Sequence, residues 1–225
     1  MATIGLRDAF FAKAIMSGSD IIGYEKPVRV AKAITVGLSI NTAQATLYAD
    51  DSIAEEVREF ASGELSVNLN TLLPEIRALL LGQQVDEDGV VYATEGDDAP
   101  YGAFGFRADK TRGATKVVWL KKVKFGVPSE NYGTKGSTVT FNTPTIVGTI
   151  MKDDHGIWKV DFDGLLSDLI VKTWFDQVRE WNGTPSEPTE PTDPEGVDAM
   201  SQINGTTRSP RNTAKDKDKE LEGGA

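Results

Sequence analysis

The sequence predicts a mainly β protein with one helix and a disordered C-terminal tail, and three observations carry that prediction. From Val28 to Ile40 every second position (Val28, Val30, Lys32, Ile34, Val36, Leu38, Ile40) alternates with the smaller or polar set Arg29, Ala31, Ala33, Thr35, Gly37, Ser39 and Asn41. A period of two describes a long strand with one apolar face, expected to pack on a core, and one small polar face. Leu65, Val67 and Leu69 alternate with Glu64, Ser66, Asn68 and Asn70 in the same manner. Finally, Gly183 to Glu195 is a Pro/Thr/acid repeat that buries almost nothing and reads as an extended linker.

The elements follow in order. Leu6 to Met16 is apolar with mixed spacing, as expected of an N-terminal arm that docks on a neighbour. Segments 28–41, 44–50, 54–60 and 63–70 read as successive strands, although Ala54 to Phe60 fits a short helix equally well. Leu72 to Leu81 is the best helix. Pro74 lies early, where a missing N–H costs nothing, Glu75 suits the positive end of the dipole, and Gly82 suits the stop. Val90–Ala93, Tyr101–Ala108, Thr115–Phe125, Ser137–Asn142 and Thr145–Lys152 read as strands separated by the turn pairs Asp88-Gly89, Arg112-Gly113 and Lys135-Gly136. Ile157–Phe162 and Ile170–Val178 close the domain. The organisation expected is one domain over 1–182, a linker over 183–195 and a disordered polar tail over 196–225, with a charged helix docked on a partner as the alternative for the tail.

Composition narrows the function classes. The 225 residues carry a net charge of −10, which argues against tight binding to phosphate backbones. There is no cysteine, so neither disulfides nor thiolate metal sites arise. Met1 to Ile22 lacks the basic head and apolar core of a secretory signal, and no apolar run approaches the ~20 residues that span a bilayer. A soluble protein is expected.

The chemical motifs are weak. His155, the single histidine, sits in Lys152-Asp-Asp-His-Gly156, which reads as a hairpin tip, and no nucleophile elbow accompanies it. Gln84 to Glu95 places carboxylates at several EF-hand positions, but the flanking Val90-Val-Tyr92 is strand-like, so a β-turn is the plainer reading. Gly133-Thr-Lys-Gly-Ser-Thr138 lacks Walker spacing. Trp119, Lys121, Lys122, Lys124 and Phe125 interleave aromatic and basic residues as some single-strand binders do. Strict alternation would put Trp119, Lys121 and Val123 on one face and Leu120, Lys122 and Lys124 on the other, an ordinary sheet surface. No nucleophile, acid/base pair or metal cluster emerges. Neither catalysis nor a cofactor is expected.

Several segments together resemble the major tail protein family of long-tailed bacteriophages. They are Gly5–Ala14, the strand Val28–Ile40, Thr46-Leu-Tyr-Ala-Asp-Asp51, Glu55–Phe60 and Gly63-Glu-Leu-Ser-Val-Asn-Leu-Asn70 leading to Leu80-Leu-Gly82. Pro100-Tyr-Gly-Ala-Phe-Gly-Phe106 and Thr115–Phe125 complete the set. The resemblance rests on order and spacing and covers nearly all of 1–182. It implies a β-sandwich or barrel-like subunit with a flanking helix, six to a ring, the rings stacked into the tail tube. Further implications are tape measure, tail terminator and tail-tip proteins as partners, DNA passing through the lumen without specific binding, no membrane, and a place in the virion after assembly in the host cytoplasm. In related proteins such a linker leads to an immunoglobulin-like domain, whereas here about thirty polar residues follow it.

Within that picture Thr35, Ser39, Ser66, Asn68 and Asn70 face the lumen or neighbouring strands, with Glu64 adding negative charge. The N-terminal arm (Leu6, Phe10, Phe11) and the connection from Asp50 to Ser62, beginning Asp50-Asp51, bridge rings. Two other readings stay open. One is the inner tube of a contractile tail or injection machine. The other is a monomeric β-sandwich binding module held on a larger particle by its acidic stalk.

Overall fold

In the computed structural model of the chain, residues 2–49, 52–130, 133–134, 143–181 and 183 are described, without the side chains of 47–49 and 52–55. Met1–Trp181 form one compact unit, and the second unit, Asn182–Ala225, is described only at Gly183. The predicted strand 137–142, the residues Asp50 and Asp51, and the C-terminal tail lie outside the described residues.

The class is mainly β, built on one large antiparallel sheet. In chain order the strands are β1 (Thr3–Ser17), β2 (Asp20–Tyr24), β3 (Val28–Ala31), β4 (Ala33–Ala49) and β5 (Ser52–Leu69). Helix α1 (Pro74–Leu81) and the small hairpin β6 (Gln84–Val85) and β7 (Val91–Tyr92) follow. Then come β8 (Gly102–Lys110), β9 (Ala114–Phe125), β10 (Thr145–Met151), β11 (Lys159–Leu165) and the single turn α2 (Leu169–Lys172). Hydrogen bonding runs β2-β1-β8-β9-β10-β5-β4, with β11 on β9 and β3 on β1. Lys32 alone separates β3, paired with β1, from β4, paired with β5, so the sheet curls back towards its start in a sandwich-like form.

That corner breaks the single strand expected over Val28–Ile40. Asn70 fixes it: its side-chain oxygen accepts from the Lys32 N–H at 3.2 Å, and its own N–H donates to the Lys32 carbonyl at 3.0 Å. Beyond the corner the expected strands 28–41 and 44–50 merge into the 17-residue β4, and 54–60 joins 63–70 in the 18-residue β5. Ala54–Phe60 is therefore strand rather than helix. Cross-strand pairing to β4 decides it, since the run mixes strand-favouring Val57 and Phe60 with Ala and Glu, which disfavour strands.

The core lies inside the curl. Leu65, Val67 and Leu69 from β5, Ile146 and Ile150 from β10, Leu120 and Phe125 from β9, Phe104 from β8 and Phe11 from β1 are buried there, closed by Leu80 and Leu81 of α1. The helix follows its sequence signals: Pro74 stands in its first turn with Glu75, and Gly82 caps it in the left-handed region at φ 70°. A Cβ at Gly82 would stand 2.2 Å from the Asp98 carbonyl oxygen, so both torsion and space require glycine there. A second cluster covers the other face of β1, β8 and β9: Ala12, Ala103, Val117 and Trp119 meet Val171, Trp174 and Val178. Residues 170–178 therefore form a short helix and turns rather than an extended segment. They are held by the Trp119 indole N–H donating to the Trp174 carbonyl (3.0 Å) and Lys121 Nζ donating to the Arg179 carbonyl (2.7 Å).

Segment 3–17 is no free arm. β1 pairs with β2, β3 and β8, its Ala9, Phe11 and Ala12 are fully buried, and a bulge between Arg7 and Phe10 sets Asp8 at φ 55°. Arg29 (3.0 Å) and Arg107 (2.8 Å) clamp the Asp8 carboxylate across β3 and β8, which offsets the strain of that torsion. Deleting residues 1–16 removes a central strand, so its expected consequence is loss of folding.

Candidate assembly surface

β4 is the terminal strand of the hydrogen-bonded path, and its 17 residues contain no charged residue and no proline. Natural edge strands are blunted by charge, proline, bulges or shortness. β4 has only bulges, between Ala33 and Thr35, Asn41 and Thr42, and Leu47 and Tyr48, and from Thr35 to Asn41 its register with β5 is unbroken. Among the described residues no strand pairs with its outer side, so the strand offers a row of open backbone groups there.

Its apolar face differs from the expectation. Val30 is buried, but Ile34 is 49% exposed, Leu38 39% and Ile40 38%. These residues share a face with the buried Leu65 and Val67, yet among the described residues no strand lies beyond them to complete the cover. An apolar rim therefore runs beside the open backbone edge.

The opposite face gathers most of the polar positions read from sequence. Thr35, Asn68 and Thr145 form one cross-strand row, Gly37, Ser66 and Val147 the next, and Ser39, Glu64, Thr149 and Lys124 the third. Asn68 Nδ2 donates to Thr145 Oγ1 at 2.9 Å, and Glu64 is exposed. Asn70 is not part of this face, because the Lys32 corner uses it. Sequence reading missed Thr145, Val147 and Thr149, whose signal was the Thr-Ile-Val-Gly-Thr-Ile alternation of β10.

Among the described residues, β5 before Gly63 pairs only with β4, and the distal hairpin runs roughly 30 Å by strand rise. Phe60 roots it by stacking on Trp158, with centroids 4.7 Å apart. A lone two-stranded ribbon is marginal in water. The predicted inter-ring residues of β1 are used inside the subunit instead: Phe11 is fully buried, Phe10 stacks on Phe175 at 4.6 Å, and Leu6 packs against the core. Phe11, enclosed in its own core, offers nothing to a neighbour, while Leu6 and Phe10 are half-buried.

The basic run of β9 resolves differently from strict alternation. A register shift opposite Gly102–Phe104 lets Leu120 and Val123 both face the core. Lys121 turns inward, Lys124 pairs with Asp98 at 2.6 Å, and Lys122 approaches Asp154 at 3.7 Å, so these cations are compensated rather than displayed to phosphates. His155 lies exposed at its turn, with its N–H on Asp153 Oδ1, and Asp86 Oδ1 closes the β6–β7 turn by accepting from Asp88 and Val90. Among the described residues no group of three His, Cys, Asp or Glu is placed to hold a metal ion.

A cleft between β2 and loop 152–158 contains Tyr24, Lys121, Asp153 and Glu180. Tyr24 donates to the Lys121 carbonyl (2.9 Å), and Lys121 Nζ lies 4.9 Å from its ring centroid. Burial pushes the Lys121 amine below its ordinary range against the pull of Asp153 and Glu180. Burial, helped by Asp153, Glu180 and Asp154, pushes the Tyr24 phenol above its own. As pH rises towards 10, folded Lys121 releases its proton before the unfolded chain does, which favours folding. Above about pH 10 the unfolded chain ionises Tyr24 while the folded one keeps the proton, so stability falls. Tyr24→Phe is expected to flatten that alkaline fall and to lose about 1 kcal/mol at neutral pH with its hydrogen bond. Denaturant melts of both proteins across the alkaline range check this, and parallel curves refute it.

Scanned against models of known protein families and searched against curated proteins, the chain finds no match.

Proposed function

We propose that this chain is a self-assembling structural protein, the subunit of a phage tail tube whose rings conduct DNA at ejection. The observation that carries the reading is β4: a long, uncharged edge strand flanked by exposed Ile34, Leu38 and Ile40. A subunit that stayed alone would carry this as an aggregation hazard, whereas a ring closes it strand to strand. The acidic net charge and the polar face of Thr35, Ser39, Ser66 and Asn68, on which Lys124 is paired with Asp98, suit a lumen that lets DNA slide. The resemblance to the major tail proteins supplies the sixfold ring, the stacking, the virion setting and the tape measure, terminator and tail-tip partners.

Negative-stain microscopy with light scattering, from dilute to concentrated protein, tests the reading. Rings or hollow tubes are the expected outcome. A particle that stays monomeric at every concentration, with preformed tube ends added as seeds, overturns it in favour of a binding module.

The projecting hairpin is the natural bridge between rings in such a tube. Replacing residues 43–59 with a tight turn, which keeps Phe60 on Trp158, is expected to leave the melting temperature within a few degrees, because β5 pairs with β10 only from Gly63 onward. Single rings should persist while stacked tubes disappear from micrographs. Tubes of normal length refute the bridging role.

A further inference from the structure

β4 is not the only bare edge. β11 pairs with β9, and among the described residues no strand meets its outer side. It differs from β4 in the properties that make an edge receptive. It has seven residues, and Lys159, Asp161 and Asp163 are charged.

Register places these three on one face, beside Leu120, Val118 and Lys116 of β9. Lys116 joins Asp161 and lies 3.6 Å from Asp163, Lys159 meets Asp161 at 3.1 Å, and Lys110 of β8 reaches Asp163. Five side chains of alternating sign thus form one ladder across three strands. Leu120 and Val118 belong to the core, so the ladder stands on the core-facing side of an edge strand. Half-exposed ion pairs add little to stability, which leaves so dense a set unexplained by folding alone. A strand adding to β11 has to cover it and desolvate charges that already have partners. Inward charge of this kind is a known way of closing an edge to other chains.

We propose that the Lys110–Asp163–Lys116–Asp161–Lys159 ladder is a guard that closes β11 to docking and so keeps it out of the self-assembly in which the β4 edge takes part. The inference rests on the self-assembly reading. A receptive edge beyond the surfaces that a ring uses makes contacts that do not close, and its products branch or precipitate.

The test is Asp161→Asn with Asp163→Asn in the full chain, examined by sedimentation velocity and negative stain beside the unaltered protein. The variant is expected to melt within a few degrees of the parent and to send severalfold more material into irregular or branched species. Inverting all five signs (Lys110→Asp, Lys116→Asp, Lys159→Asp, Asp161→Lys, Asp163→Lys) keeps a charged, paired edge and should restore regular products. If the double variant does not fold, Asp163→Asn alone serves, since that side chain is half exposed. Regular parent assemblies with an identical product from the neutralised variant overturn the guard and leave self-assembly standing. A parent that never assembles overturns the self-assembly reading. In that case association by the neutralised variant alone supports the guard, and its absence ends it.

Discussion

With lysines at Thr35 and Ser39, the protein should remain monomeric at concentrations where the unaltered chain assembles. Both residues are exposed on β4, within or at the start of the unbroken register from Thr35 to Asn41. Pairing that stretch with a neighbour forms about seven backbone hydrogen bonds worth ~1 kcal/mol net each. Covering the exposed parts of Ile34, Leu38 and Ile40 adds about 1 kcal/mol apiece. Two ammonium groups along the seam must then be desolvated or held aside, at about 1–3 kcal/mol each. Every 1.4 kcal/mol is tenfold in dissociation constant, so a shift of about a hundredfold or more is expected. The monomer itself should change by under about 0.5 kcal/mol per site, since neither side chain touches the core. Thr35→Val, which keeps the edge uncharged, should assemble as the parent does. Sedimentation velocity over a concentration series decides the matter. If the lysine variant assembled at the parent's concentration, β4 would not be the contact.

How far the sequence disclosed this surface depends on what each signal measures. Alternation located Thr35, Ser39, Glu64, Ser66 and Asn68 on one face, because strand periodicity is a local property and pairing β4 with β5 brings the rows into line. The helix was legible from Pro74, Glu75 and Gly82, which act through backbone chemistry alone. What could not be read was sheet order. Whether Ile34 and Leu38 are core or rim depends on a strand beyond β4, and no residue of β4 encodes whether one is there. Asn70 looked like another member of the polar row, but two hydrogen bonds to Lys32 made it the corner piece. The apolar Leu6–Met16 run suggested docking on a neighbour; the surface it docks on is β8 of its own subunit. Strict alternation failed at Leu120–Val123 for a similar reason, since a bulge is set by the partner strand's register.

Trp119→Ala should cost more stability than any exposed change, because two separate losses fall on one residue. The indole is fully buried, meets Phe175 edge-on at 5.6 Å and donates to the Trp174 carbonyl. Removing it leaves a cavity, worth about 3–5 kcal/mol, and an unsatisfied carbonyl, worth about 1–3 kcal/mol. Against a total of roughly 5–15 kcal/mol for a domain, this is a large share. At about 2–4 °C per kcal/mol for this size, the melting temperature should fall by roughly 10–30 °C. Trp119→Phe keeps most of the volume and loses only the hydrogen bond, so its cost should stay near 1–3 kcal/mol. The cavity cannot be refilled from across the sheet, because Gly105 lies under the ring where a Cβ would stand 2.7 Å from it. Gly105→Val should therefore rival Trp119→Ala through overpacking instead of a void. The damage should also be uneven. Residues 169–181 form no strand and lean on Trp119 and Lys121 through side-chain bonds to their carbonyls. Hydrogen exchange in Trp119→Ala should thus rise first in 169–181, while β5 and β10, with their own ladder and the separate core beneath them, stay protected. Uniform loss of protection would mean that the two clusters melt as one unit. A melt within a few degrees of the parent would mean that the indole carries no such weight.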